Sequence, residues 1–184
     1  MGEFWPVPDV LGHLAGSWRV TRSVRDLASG DEGRFDGTTV FGPLEAERGP
    51  LKAGAPAEPG NPAEAGAPPA AGRPAVAKAA VAGGGLLHRE SGIFVWRGVP
   101  RPAERTLRFL SGSSPATADV RFADGRPFHD LDLTSGHHVA DHPCAADLYR
   151  GEFTVHDRDH WRSVWRVRGP AKDLVLTTDY ARED

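Results

Sequence analysis

Residues 147–180, DLYRGEFTVHDRDHWRSVWRVRGPAKDLVLTTDY, decide the fold. Trp161, Ser163, Trp165 and Val167 alternate with Arg162, Val164, Arg166 and Arg168, a period of two that a strand gives and a helix does not. His156 to Asp159 and Gly169-Pro170-Ala171-Lys172 are turn chemistry on either side. Asp147 to Val155 and Asp173 to Tyr180 therefore read as the strands before and after.

The same pattern extends upstream. Trp18, Val20, Arg22 and Val24 share a face, and Ser29-Gly30-Asp31-Glu32-Gly33 turns the chain into a run carrying Phe35, Gly37, Thr39 and Phe41. Leu87, Arg89, Ser91, Ile93 and Val95 alternate with His88, Glu90, Phe94 and Trp96. Pro100-Arg101-Pro102 reads as a loop, and Leu107 and Phe109 mark another strand. Val120 and Phe122 lead into Asp124-Gly125, a hairpin signal, with a return strand over Pro127 to Leu133. The stretch around His137, His138, His142 and Cys144 reads as a loop. Ahead of everything, Asp9 caps a short helix carrying Val10, Leu11 and Leu14, which stops at Gly16. About eight to ten short strands after one short helix predict an all-β protein, a single antiparallel barrel. A meander that closes on itself also removes sheet edges.

One segment breaks the pattern. Residues 50–85 are nearly all Ala, Pro and Gly, with no aromatic side chain. Such a run buries too little apolar area to offset an ordering entropy of about 1–2 kcal/mol per residue. We expect a disordered insertion inside one domain spanning 1–184, because loop closure grows only slowly with length.

Composition narrows the function. The net charge of -3, from 22 basic and 25 acidic side chains, gives no reason to expect nucleic acid or an anionic membrane as partner. One cysteine excludes an internal disulfide and a Cys-rich zinc module. No signal-peptide pattern and no apolar run of spanning length stand in the sequence, so a cytoplasmic protein is expected. Five tryptophans belong either in a core or on a ligand surface.

The candidate chemistry concentrates in residues 122–153. Strand parity turns His129 inward with Leu131 and Leu133, and leaves Phe128, Asp130 and Asp132 on the other face. His129 is then either a hydrogen-bonded core histidine or a group lining a cavity. Asp147 and Tyr149 share a face with Phe153 and Val155, and a buried Asp147 needs a partner, for which His129, Arg126 or Arg22 are available. The set suits general acid–base work, and it suits equally a network that sets strand register. His138, His142 and Cys144 are types that a transition metal or haem accepts, against a plain loop with a thiol. The reading that follows is a barrel binding a small, partly apolar ligand through His129, Asp147, Tyr149, Arg126, Arg22 and Trp165. The alternatives are a small enzyme with a His/Asp/Tyr acid–base group and a metal or haem protein.

Two resemblances accompany this reading. Gly16-Ser17-Trp18 directly after a helix, with Thr178-Asp179-Tyr180 and Arg182 at the end, resembles the calycins, the lipocalin-like barrels. That resemblance implies that Trp18 lies at the closed end of the barrel and that Arg182, or Arg166, packs over it. Leu14 to Trp18, Asp124 to His129, His142-Pro143-Cys144, Asp147-Leu148-Tyr149 and Trp165 to Asp173 resemble a family of bacterial proteins, DUF6314, whose function is unknown. This resemblance implies a fold and adds no activity, cofactor, partner or oligomeric state.

Overall fold

Alternating side chains build ten strands in the computed structural model, which describes residues 4–44 and 84–183. A helix, α1 (Val10–Leu14), is followed by β1 (Gly16–Asp26), β2 (Glu32–Pro43), β3 (Gly85–Trp96), β4 (Val99–Ser111) and β5 (Thr117–Phe122). Then come β6 (Pro127–Asp132), β7 (His137–Cys144), β8 (Asp147–Val155), β9 (His160–Gly169) and β10 (Lys172–Arg182). Asp9 caps α1 by accepting from the Gly12 N–H at 3.0 Å.

The ten strands form one antiparallel sheet in the order β6-β5-β4-β3-β2-β1-β10-β9-β8-β7. First and last strands pair over nine residues, from Trp18↔Arg182 to Asp26↔Leu174. The chain is thus an all-β, nearly closed barrel with a short N-terminal helix. Two edges remain, β6 and β7, where full closure would leave none. Both edges are protected: Pro127 and Pro143 lie on them and β6 has only six residues. Their side chains also meet, the Phe128 and His142 rings at 5.0 Å and the His138 Nε2 and Asp130 carboxylate at 3.5 Å. The N-terminal segment fastens the lower gap, with the Trp5 N–H donating to Val155 and the Val7 N–H to Leu133. Gly136 is required there: a Cβ on it would stand 2.2 Å from the Trp5 carbonyl oxygen, and its φ is +77°.

Three local expectations need correction. The histidine-rich segment is a strand, not a loop. It runs antiparallel to β8 from His137↔Thr154 to Cys144↔Asp147, and its proline is tolerated because the strand is an edge. Pro100-Arg101-Pro102 is likewise strand. That part of β4 pairs only with β3, since β5 reaches no further than Leu107, so a missing N–H costs no ladder bond. The reversal lies instead at Arg97-Gly98, both at positive φ. Third, Phe128 is buried beside His129, because the β5–β6 register shifts between Val120 and Arg121. A bulge of this kind puts two successive side chains on one side.

The core fills the barrel from Trp18, Phe41, Leu86 and Phe109 at one end, past Val20 and Phe35, to Tyr149, Trp165 and Val167 toward the other. Rings lie flat over strand glycines. A Cβ on Gly151 would meet the Trp165 ring at 2.8 Å, and one on Gly37 the Phe35 ring at 2.7 Å. Of the expected insertion, residues 50–83 lie outside the described residues, while Gly85 already pairs with Leu110 in β3.

Candidate functional site

The barrel has two unlike ends. At the end where α1 lies, the Trp18 indole N–H donates to the Leu14 carbonyl at 2.7 Å. The Arg182 guanidinium stands 4.1 Å over the Trp18 ring and donates to the carbonyls of Ala15 at 3.0 Å and His13 at 2.6 Å. Its third nitrogen donates to Asp159 at 3.1 Å. An open groove of about 970 Å³ runs along this end, lined by Asp9, His13, Ser114, Arg158 and Arg182 among others. Several of its polar groups are already paired, Asp9 with the Gly12 N–H, Ser114 with Thr117 and Arg182 with Asp159, while His13 Nε2 has no hydrogen-bond partner among the described residues.

The opposite end, where the β1–β2, β3–β4, β5–β6, β7–β8 and β9–β10 hairpin turns lie, is termed the mouth. Half-buried Phe94, Ala103, Phe122, Cys144 and Leu176 pack there against the core. Lys172 sits on the rim, donating to Asp147 at 2.8 Å and to the Tyr149 hydroxyl at 3.3 Å. The bond to Asp147 comes first among the causes that hold the lysine above its ordinary pKa.

Between the two ends the interior is charged. Arg22 donates with both terminal nitrogens to Glu90, at 2.9 and 2.7 Å, and with Nε to Thr178 at 2.8 Å. Arg105, the direct cross-strand partner of Glu90, reaches the same carboxylate at 3.4 Å. Glu90 is 4% exposed. Burial pushes its carboxyl upward, but Arg105 and Arg22 outweigh it and hold Glu90 well below the usual range. Burial likewise opposes the charge on Arg22, and Glu90 restores it. His88, edge-on to Phe41 and tilted against Phe109, is pushed down to about 3 by burial, with the Arg105 charge adding to the effect, so it is neutral. A cavity with about 20 Å³ open to the centre of a water molecule lies against Arg22, Arg105, Tyr149, Ser163, Trp165 and Thr178. That is room for about one water.

The structure sorts the residues singled out from sequence. Arg22, Tyr149 and Trp165 face this shared cavity. His129 is buried among Phe128, Phe153 and Trp165, with Nδ1 at 2.6 Å from the Asp130 carbonyl, and burial pushes it down to about 4. Asp147 is at the rim with Lys172, so its partner is none of His129, Arg126 or Arg22. Arg126 lies in the β5–β6 turn, paired with Asp124 at 2.7 Å and over the Phe122 ring. His138, His142 and Cys144 stand two or more residues apart on β7. Among the described residues, no three His, Cys, Asp or Glu gather as a set able to hold a metal ion.

Sequence reasoning missed Glu90, Arg105, Ser163 and Thr178 as members of one cluster. A signal existed for two of them. Arg105 is two residues before Leu107 on the face that carries Phe109, and Thr178 is two before Tyr180. Among the described residues, no helix is long and apolar enough to cross a membrane.

Solved structures share this architecture at low identity. The S-type phycobiliprotein lyase of Guillardia theta matches with a TM-score of 0.59 and 10% identity, covering 98% of this chain and 94% of that one. A protein of unknown function from the DUF3598 family of Nostoc punctiforme matches with a TM-score of 0.51 and 9% identity, covering 97% of this chain. This chain spans about half of that protein, 51% of its length. Such likenesses show the fold, a calycin-like barrel. No curated protein matches the sequence. A family model, described as a family of unknown function, matches residues 14–182, from the helix before Trp18 to the last strand. This chain therefore belongs to the DUF6314 family.

Proposed function

We propose that the barrel binds a small, partly apolar molecule through its mouth, with the polar end of that molecule at the buried Arg22–Glu90–Arg105 cluster. One observation carries the reading: an ionic cluster lies inside an aromatic interior, beside a cavity and below an apolar mouth. Taking three charges out of water costs several kcal/mol per ion, and well-packed hydrophobic residues would stabilise a barrel as well or better. Such a cluster is understandable where it has a ligand to recognise. Phe94, Ala103, Phe122 and Leu176 suit the apolar body, while Tyr149, Ser163 and Thr178 place hydroxyl groups beside the charges.

The cavity as it stands is far smaller than an organic ligand. Uptake therefore requires side chains at the mouth to move, and the Lys172 bridge to Asp147 and Tyr149 is the polar contact across that rim. The S-type phycobiliprotein lyase supports the reading only in that a barrel of this shape serves a protein named for a reaction. We also read the described strands as one domain, since all ten belong to a single sheet.

Native mass spectrometry of the full chain, followed by organic extraction, tests the proposal. One small molecule per chain, or saturable one-to-one uptake of the neutral apolar dye Nile red competed by that molecule, supports it. A bare chain that takes up no dye refutes it.

A further inference from the structure

The charges inside the barrel do not balance. Two guanidinium groups, Arg22 and Arg105, face one carboxylate, Glu90. His88 beside them is neutral, and the rim carboxylate of Asp147 is already held by Lys172. Among the described residues the interior therefore carries one uncompensated positive charge.

The two arginines are also unequally used. Arg22 uses all three of its nitrogens, both terminal ones on Glu90 and Nε on Thr178. Arg105 touches Glu90 only through one nitrogen at the long distance of 3.4 Å. Its Nε is buried, with no hydrogen-bond partner among the described residues. A buried donor left unsatisfied costs stability, which a ligand acceptor would recover. The Arg105 side chain is 23% exposed, so it spans from the buried Glu90 to the opening, and it lines the cavity together with Tyr149, Ser163 and Trp165.

Resting on the interior-binding reading above, we infer that the ligand is a monoanionic carboxylate on an apolar body. Its carboxylate sits against Arg105 beside Glu90, and its body points to Phe94 and Phe122. A guanidinium offers its donors in a rigid planar fork that a carboxylate matches with two parallel bonds. One negative charge brings the cluster to neutrality. A dianion would over-compensate it, next to a carboxylate that already occupies the site.

Octanoate and 1-octanol, both of eight carbons and different in head group, separate this inference from the reading beneath it. Each is titrated at pH 7 against the full chain and against Arg105→Gln, with binding followed by NMR. The wild-type comparison needs no variant to fold, and near-UV circular dichroism checks that Arg105→Gln has. Octanoate is expected to bind about tenfold more tightly than octanol or better, the size of a charge-assisted hydrogen-bonded pair. Arg105→Gln removes that preference, so that octanoate binds no more tightly than octanol. Equal binding of the two by the wild type overturns the carboxylate inference and leaves the apolar-ligand reading standing. A preference that survives in folded Arg105→Gln also overturns it. Failure of both probes to bind overturns the inference together with the reading on which it rests.

Discussion

Replacing Glu90 by Gln tests how the interior holds together, because shape is nearly kept and only the charge is lost. Glu90 is 4% exposed and accepts from Arg22 at 2.9 and 2.7 Å and from Arg105 at 3.4 Å. In the variant two guanidinium groups remain in a site that water hardly reaches. Breaking a buried pair by removing one partner costs about 3–5 kcal/mol, a large part of a typical total of about 5–15 kcal/mol. Acid supplies a second readout. Burial raises the Glu90 carboxyl, Arg105 and Arg22 lower it by more, and the folded value ends well below the unfolded 4.5. A carboxyl depressed in this way contributes its full stability above the unfolded pKa and loses it as pH falls. The gap between wild type and Glu90→Gln is therefore widest above about pH 5 and narrows below 4.5. Urea unfolding followed by tryptophan fluorescence, at pH 7 and at steps from 5 to 3, measures both effects. A loss under about 1 kcal/mol at pH 7, with parallel profiles in acid, refutes the account of a charge-coupled interior.

Other outcomes follow from the same geometry. Arg182→Ala removes a stacked guanidinium and donors to two carbonyls, and it costs about 2–3 kcal/mol, with Arg182→Lys recovering less than half. A thermal shift within error for Arg182→Ala contradicts this. His88 and His129 are held neutral, at about 3 and about 4, while their unfolded forms take a proton below 6.5. Stability is thus complete above pH 6.5 and falls toward pH 4 by about 1.4 kcal/mol per pH unit for each histidine. Unfolding free energies between pH 7.5 and 4.5 check the slope, and His129→Gln flattens it. Gly151→Val drives a side chain into the Trp165 ring, costing about 1–3 kcal/mol and altering the near-UV spectrum.

Much of the barrel is legible in its residues, for reasons that also explain the errors. Trp161, Ser163, Trp165 and Val167 alternate cleanly because one side of β9 faces the core and the other faces water. β7 hides because His137, His138, His142 and Pro143 carry no strand preference. The strand forms through its pairing with β8. Phe128 misleads because it is the extra residue of a bulge, skipped between the pairs Val120↔His129 and Arg121↔Pro127, which changes the face it occupies. At the site, parity places Arg22, Tyr149 and Trp165 inward, but a charge on a strand ordinarily reads as a solvated face. Glu90 stands 68 residues from Arg22, and only barrel curvature makes them partners. Parity with Tyr149 puts Asp147 in the interior, but it lies at the strand end, where Lys172 of the adjoining hairpin meets it.

The most direct test of the central claim is a map of where a ligand binds. In isotope-labelled full chain titrated with octanoate, the account predicts saturable shifts at the side-chain signals of Arg105 and Trp165 and the backbone of Tyr149, Ser163 and Thr178, with α1 and the Arg182 end unchanged. Shifts confined to the groove around Asp9, His13 and Arg158, or no saturable shift inside the barrel, contradict it.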